Sequence, residues 1–212
     1  NYLYWVATGG TAIVSQIVIS GNYVKIEGFS VRNTPWANND GAFNISGDYF
    51  YLLNNTVIDS LSPGIWMYSA TSTGGKVEGC TFTGINGTGW YVTGTNHLFL
   101  NNDMSDVYTD ATSRSAGNDA DYVRFFGSGH TFRGNYFHNF LIGHQSDVTA
   151  HVDMFQTWDY LSVQAAAQDC IIERNWLFLG PDSTGVPTAN NALSESKTVF
   201  MLEGTVGRPA TN

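Results

Sequence analysis

A short pattern of residues recurs along most of the chain and constrains its fold more than any other feature. Each copy has an apolar residue, a turn rich in Gly and Asn, and a second apolar residue five positions after the first. The six copies begin at Ile26, Leu52, Val77, Phe99, Phe132 and Ile172. Successive copies are 26, 25, 22, 33 and 40 residues apart, and a spacing in the twenties is typical of a solenoid of stacked repeats.

Stacking of these copies predicts which side chains are buried. If each copy belongs to one coil, its two apolar residues point inward and align with the same residues of neighbouring coils. The second of these rows reads Val31, Val57, Phe82, Met104, Phe137 and Leu177. The turn between the two apolar residues must be sharp, which favours residues that tolerate a left-handed backbone, namely Gly and Asn.

The residue just before the strand that follows this turn is usually Asn. This row reads Phe29, Asn55, Cys80, Asn102, Asn135 and Asn175. Asn side chains about 4.8 Å apart in successive coils can hydrogen-bond to one another. The Leu-x-x-Leu-x-Leu signature of the leucine-rich repeat is absent. We therefore predict an all-β fold, a right-handed parallel β-helix of six to seven coils, with a single domain over residues 1–212.

The same rows place the cysteines and two of the histidines. Cys80 and Cys170 fall on different rows and three coils apart, which predicts two separate thiols rather than a disulfide. His97 and His130 are predicted to stack in the interior. Since no third ligand accompanies them, a hydrogen-bonded pair is a better interpretation than a metal site.

Neither end of the sequence has a convincing capping helix. An open solenoid end exposes strand edges, which promote association. We expect the chain to be a fragment, or its ends to be covered by its own loops or by another chain. End-to-end or lateral self-association through uncapped ends is therefore an expectation.

The charge of the chain limits its partners. Only 13% of the residues are charged, and the formal net charge is −9. Nucleic acid and anionic membranes are therefore disfavoured, because no basic stripe exists to neutralise phosphates. No apolar run approaches the ~20 residues of a membrane span. Low charge and loops rich in Thr and Asn favour a secreted protein or one at the cell surface.

Three insertions lengthen the later coils, at Val107–Asn118, Leu141–Ala150 and Tyr160–Gln168. Insertions on one side of consecutive coils build the walls of a groove, which is usually the binding face of a solenoid. The first two insertions immediately precede strands that are predicted to begin at Asp121 and His151.

These two strands are unusually polar. When they are overlaid, Asp121 stacks on Asp153 and Arg124 on Gln156, so that two carboxylates lie about 5 Å apart. Such a pair can act as a glycosidase pair, or both can bind Ca²⁺ while Arg124 or His151 acts as the base of a lyase. We predict Asp121, Arg124, His151, Asp153 and Gln156 as catalytic residues, with Asp121 and Asp153 as the ligands if Ca²⁺ is required. A buried structural ion pair is the alternative.

Aromatic residues lie on or beside the same predicted face. Their flat rings can stack on the apolar faces of sugars. The predicted substrate-binding residues are Trp66, Tyr91, Tyr122 and Trp158.

The coil motif from Val24 to Leu179 resembles the right-handed β-helix superfamily that includes pectate lyases, polygalacturonases and phage tailspikes. The segments Asp119-Ala-Asp-Tyr-Val-Arg-Phe-Phe and His151-Val-Asp-Met-Phe-Gln-Thr-Trp are similar to a group of secreted bacterial β-helix proteins that are taken to act on polysaccharides. The resemblance implies an extracellular polysaccharide lyase or glycoside hydrolase with a groove on the outer face of the β-helix. The Asn-Thr-Asp, Asp-Asp and Arg-Ile-Lys motifs of polygalacturonases are absent. The alternative is a non-catalytic solenoid that binds glycans, such as an adhesin, a tailspike-like protein or a filament-forming protein.

Overall fold

Three parallel sheets, each of seven strands, make up the described part of the protein. The computed structural model describes residues 2–8, 12–37, 39–110, 112–113, 119–139, 152–159, 165–178 and 197–203. The chain visits sheets A, B and C in turn, so three consecutive strands form one coil. The molecule is a right-handed parallel β-helix of seven coils, which confirms the predicted fold class.

The strands are short and follow one another in a fixed order. Sheet A contains β1 (Leu3–Val6), β4 (Val24–Glu27), β7 (Tyr51–Leu53), β10 (Lys76–Glu78), β13 (Leu98–Leu100), β16 (Thr131–Arg133) and β19 (Ile171–Glu173). Sheet B contains β2 (Ala12–Val14), β5 (Phe29–Arg32), β8 (Thr56–Ser60), β11 (Thr81–Asn86), β14 (Asp103–Tyr108), β17 (Tyr136–His138) and β20 (Trp176–Phe178). Sheet C contains β3 (Ile17–Ile19), β6 (Phe43–Ile45), β9 (Ile65–Met67), β12 (Trp90–Val92), β15 (Val123–Phe125), β18 (Val152–Trp158) and β21 (Lys197–Glu203).

The strand register confirms both predicted inward rows. Each apolar residue of the sheet A row pairs with its counterpart in the next coil, from Ile26 to Ile172. The sheet B row pairs in the same way from Val31 to Leu177. In the middle coils these side chains have no exposed surface. Burial of apolar surface contributes roughly 25 cal/mol per Å², so these rows form the core.

The turn between sheets A and B has the left-handed residue that the sequence predicted. These residues have φ between 52° and 77°, and they are Gly28, Asn54, Gly79, Asn101, Gly134 and Arg174. Only Gly, and to a lesser degree Asn, adopts this conformation with little strain. In each coil, the residue after this left-handed residue belongs to the row in which Asn predominates.

That row forms a ladder of hydrogen bonds along the solenoid. Oδ1 of Asn135 accepts from the backbone N–H of Asn102 at 3.0 Å and from its side-chain Nδ2 at 2.9 Å. Nδ2 of Asn135 donates to the carbonyl oxygen of Phe99 at 3.0 Å. Asn175 makes the same contacts with Asn135 and Phe132. Each Asn therefore satisfies buried backbone groups of the preceding coil, which would otherwise cost about 1–3 kcal/mol each.

A second interior ladder contains the two histidines. The rings of His97 and His130 have no exposed surface and stack at 5.3 Å with an interplanar angle of 7°. Nδ1 of His97 accepts from the backbone N–H of Gly75 at 2.9 Å, and Nδ1 of His130 accepts from that of His97 at 3.3 Å. Gly75 must be small, because a Cβ atom there would lie 2.0 Å from the ring of Phe50. The prediction of an interior pair is confirmed.

Other features of the described residues bear on the remaining predictions. Cys80 and Cys170 are both free, as predicted. Trp5 is paired with the inward residue Ile26 yet is 56% exposed, so the first described coil leaves core positions uncovered. Self-association through such an end stays a prediction. In the part of the chain described above, no helix is long and apolar enough to cross a membrane.

We expect the histidine ladder to make stability sensitive to acid. Burial lowers the pKa of His97 from 6.5 to about 3, with a smaller contribution from the neighbouring His130. Between these pH values the unfolded chain binds a proton that the folded protein excludes, so stability falls as pH falls. The titration of His97 alone lowers the free energy of unfolding by about 2 kcal/mol from pH 7 to pH 5.

The measurement is urea unfolding of the wild type and of His97→Gln at both pH values. The variant lacks this titration, so its stability relative to the wild type should improve by about 2 kcal/mol from pH 7 to pH 5. A difference that stays constant over this range would show that His97 is accessible to protons in the folded state.

Candidate functional site

The outer face of sheet C contains the polar and aromatic residues that the sequence singled out. Strand register places them in one row across successive coils, in the order Asn44, Trp66, Tyr91, Arg124 and Gln156. The predicted overlay of Arg124 on Gln156 is therefore confirmed. Their strand neighbours Val123 and Phe155 point inward and are buried, as the alternation of a strand requires.

Asp121 lies in the turn before β15, since this strand begins at Val123 rather than at Asp121 as predicted. Two residues three apart face opposite sides of a straight strand, but Asp121 lies in a turn, so its side chain can meet that of Arg124. Oδ1 of Asp121 accepts a hydrogen bond from the backbone N–H of Asp153 at 3.1 Å. Asp121 and Asp153 are thus adjacent, as the overlay predicted. His151 lies outside the described residues.

Arg124 is the centre of a hydrogen-bonded network. Its Nη2 and Nε donate to Oδ2 of Asp121 at 2.6 and 3.0 Å. Nη2 also donates to Oδ2 of Asp119 at 3.2 Å, and Nε donates to Oε1 of Gln156 at 2.8 Å. Nε2 of Gln156 in turn donates to Oδ2 of Asp153 at 3.3 Å. These five residues are called the Arg124 network below.

The Arg124 network is buried although it lies on the outer face of a sheet. Asp121 and Asp153 have no exposed surface, and Arg124 is only 7% exposed. The ring of Trp158 covers the guanidinium, with Cζ 5.1 Å from the ring centroid. A buried guanidinium with so many acceptors forms charge-assisted hydrogen bonds that fix its orientation.

The surroundings of Asp121 favour the protonated form of its carboxyl group. Burial is the largest of the effects that raise the pKa of Asp121 from 3.8 to about 7; the carboxylates of Asp119 and Asp153 act in the same direction, and Arg124 opposes them. The network contains three carboxylates and one guanidinium, so it carries excess negative charge when all of them are ionised. A carboxyl group with a pKa near neutral is the kind of group found at functional sites, but structural networks can produce it as well.

The calcium site at Asp121 and Asp153 stays a prediction. Both carboxylate oxygens of Asp121 are engaged, one by the backbone of Asp153 and the other by the guanidinium of Arg124. The cation that contacts the carboxylates of Asp121 and Asp119 in this structure is the Arg124 side chain. No group of three or more His, Cys, Asp or Glu in the described ranges is placed to hold a metal ion.

Aromatic rings continue along the same face. Trp66 and Tyr91 stack at 4.1 Å with an interplanar angle of 19°, and Tyr91 lies 5.6 Å from Phe126. Phe126 in turn packs edge-on against Trp158 at 4.8 Å. Trp66, Tyr91 and Trp158 are half-buried, whereas Phe126, which the sequence did not single out, is buried. We call Trp66, Tyr91, Phe126 and Trp158 the sheet C aromatic row.

Tyr122 corrects one of the predictions. Its ring has no exposed surface, and it packs at 5.8 Å against the core residue Phe137. Its hydroxyl donates to the carbonyl oxygen of His138 at 2.8 Å. Alternation counted back from the outward Arg124 would point Tyr122 outward, but β15 begins at Val123 and the alternation does not extend into the turn before it. It is a core residue, and no sugar can stack on it.

The described residues cover only part of the predicted groove walls. In the insertion Val107–Asn118, the backbone N–H of Ser113 donates to Asp110, whose own N–H donates to Asn86. The insertion Leu141–Ala150 lies outside the described residues. Within the insertion Tyr160–Gln168, Ala166 forms a β-bridge with Phe126, and Gln168 forms one with Ser128. Both bridges lie beside the aromatic row.

The fold defines the class of protein, a parallel β-solenoid whose outer face carries a buried charge network beside a row of aromatic rings. No protein-family model, curated protein or solved structure matches the chain. A finer assignment therefore depends on the side chains described above.

We expect the Asp121 carboxyl group to stabilise the fold increasingly as pH falls from 7 to 5. Its pKa is about 7 in the folded protein against an ordinary value of 3.8, so the folded state binds a proton that the unfolded state has released. The stabilisation is fully present below pH 4 and is lost as pH rises through 7. From pH 5 to pH 7 this change amounts to about 2 kcal/mol.

The test compares urea unfolding of the wild type and of Asp121→Asn at pH 5 and pH 7. The variant should lose about 2 kcal/mol more at pH 5 than at pH 7, relative to the wild type. Asp169→Asn is the control, because Asp169 is exposed and its left-handed backbone suits Asn. If Asp121→Asn and the control behave alike, Asp121 is ionised throughout this pH range.

Proposed function

We propose that the protein binds a polysaccharide outside the cell, along the outer face of sheet C. The observation that carries this proposal is the sheet C aromatic row, in which the half-buried rings of Trp66, Tyr91 and Trp158 lie on the outer face of the sheet. A long, regular ligand suits a surface that repeats once per coil. Polysaccharides have that regularity, together with apolar ring faces and hydroxyl groups.

The aromatic row supplies the apolar part of this surface. Trp66 and Tyr91 cover one ring face of each other, so the surfaces left for a ligand are their edges and their outer faces. Aromatic side chains of this kind provide contact area at low conformational cost, and a few polar groups then fix the orientation of the ligand.

The Arg124 network supports the row from one end. The guanidinium holds Trp158 by a cation–π contact, and Trp158 packs against Phe126. Binding sites are more precise when the residues beneath them are locked by hydrogen bonds, and this network provides such support. The buried charges thus position the aromatic residues without contacting the ligand.

The charge of the chain favours a neutral ligand and argues against nucleic acid. With a formal net charge of −9, the protein repels polyanions over most of its surface. The low fraction of charged residues and the β-helix fold are also the grounds for proposing that it acts outside the cell or at the cell surface.

Cleavage of the polysaccharide, by a lyase or a glycoside hydrolase, is the second candidate. The observation in its favour is the raised pKa of Asp121 beside Asp153, since paired carboxyl groups with different protonation states perform acid–base chemistry in glycosidases. Both carboxyl groups lack exposed surface, however, and a catalytic residue must touch its substrate. Binding is therefore the function that the geometry supports better.

The test is affinity electrophoresis through gels that contain pectin, alginate, glycosaminoglycans or neutral plant glycans. We expect at least one neutral polysaccharide to retard the wild type, and Trp66→Ala to weaken this binding by about tenfold, which is 1.4 kcal/mol. Val18→Ala is the matched control, because Val18 pairs with Asn44 in the same outer row but lies two coils from Trp66. Circular dichroism checks that both variants are folded.

Two results would count against the proposal. Equal weakening by Trp66→Ala and Val18→Ala would show that the row has no specific role, and the absence of binding to the whole panel would remove the function. The same samples are assayed for unsaturated products and new reducing ends. Cleavage that is abolished by Asp153→Asn, with an unchanged melting temperature, would favour the enzyme, whereas a large fall in melting temperature would make Asp153 a structural residue.

A further inference from the structure

A second group of aromatic side chains lies on the outer face of sheet B, in the last two described coils. Tyr136 and His138 of β17 pair in register with Trp176 and Phe178 of β20. These four residues are called the sheet B patch. Trp176 is 69% exposed, Phe178 46% and Tyr136 37%. Trp176 is the most exposed large hydrophobic residue in the described part of the chain.

The sheet does not require aromatic residues at these positions. In four of the preceding coils the same outward position as Trp176 contains the polar residues Ser30, Thr56, Thr81 and Asp103, whereas the first described coil has Ile13 there. A polar residue is therefore compatible with this position, and an aromatic residue is not required. Since the exposed rings leave much of their apolar surface in water, stability alone does not explain them.

The patch is held in a fixed arrangement. The rings of Tyr136 and His138 stack at 3.9 Å, and Nε2 of His138 is 2.8 Å from Oδ1 of Asp103. The rings of Trp176 and Tyr136 are nearly perpendicular, with centroids 6.2 Å apart and planes at 77°, so they do not stack face to face. With 69% of Trp176 exposed, most of its indole ring is available to a flat apolar partner.

A carboxylate that can bind hydroxyls borders the patch. It belongs to Asp103, half of whose side chain is exposed and which is the neighbour of Tyr136. A ligand with an apolar face and hydroxyl groups at its rim matches this combination. The carboxylate of Asp103 disfavours acidic sugars, because like charges repel.

We propose that the sheet B patch is a second glycan-binding site, in which a neutral sugar ring stacks on Trp176. The proposal rests on the proposed function, in that the ligand class is the same, but it concerns a different sheet and different coils. Two such sites would let one molecule hold two chains, or two parts of one chain, and so raise the overall affinity. A second copy of the protein fits the patch less well, since stable interfaces bury about 800 Å² per partner and 20–30 residues a side.

The experiment uses the polysaccharide that retards the wild type most strongly. Trp176→Ala should weaken binding by about tenfold, or 1.4 kcal/mol, with an unchanged melting temperature because the side chain is exposed. The control is Ile171→Ala, an exposed apolar residue of the same coil on sheet A. The double variant Trp66→Ala/Trp176→Ala should bind more weakly than either single variant.

The outcomes separate this proposal from the function of the sheet C row. If Trp66→Ala weakens binding while Trp176→Ala matches its control, the sheet B site is wrong and the sheet C proposal stands. If only Trp176→Ala weakens binding, the sheet B site stands and the sheet C location is wrong. Sedimentation velocity adds a further result, since a wild-type dimer that Trp176→Ala converts to monomers would make the patch a contact between copies and overturn the proposal.

Discussion

Register between successive coils is the constraint on which the rest of the structure depends. Parallel strands stack about 4.8 Å apart, and a slip of one residue would turn every inward side chain outward. Apolar rows alone tolerate exchanges among residues of similar size. The Asn ladder is more demanding, because each Asn must meet one backbone N–H and one carbonyl of the coil below. Together with the left-handed residue before it, the ladder fixes where each coil turns.

The same register brings the outer side chains together. Arg124 contacts Gln156 only because 32 residues of chain complete one coil between them and return to the same position on sheet C. The Arg124 network therefore exists only in the folded stack, and so does the pairing of Tyr136 with Trp176 on sheet B. Both candidate surfaces depend on the register of the interior rows, although their side chains lie on the outer faces of sheets B and C.

The sequence predicted the interior far better than the surface. Both apolar rows, the Asn row and the stacked histidines follow from one repeat, because a buried position allows few residue types. The overlay of Arg124 on Gln156 also followed from the repeat. Tyr122 was assigned to the wrong face, because it lies in the turn before Val123, where the alternation of the strand does not hold.

Other features of the surface could not be predicted from the repeat. Asp119 contacts Arg124, and the only signal for it was its position two residues before Asp121 in a polar segment. The sheet B patch was missed because outward positions vary freely, so nothing in the pattern distinguishes an exposed Trp176 from a covered one. Burial of Asp121 and Asp153 also depends on what lies over sheet C, which strand periodicity does not specify.

Amide hydrogen exchange of the Asn ladder tests the account of the fold most directly. The backbone N–H groups of Cys80, Asn102 and Asn135 lie between strands and donate to Oδ1 of the Asn in the next coil at 2.9–3.0 Å. We expect them to exchange as slowly as the amides of the neighbouring strands, because they are released only when coils separate. In Asn135→Ala the amide of Asn102 should lose this protection first. Rapid exchange at all three amides in the wild type, beside protected strands, would contradict the ladder and the register derived from it.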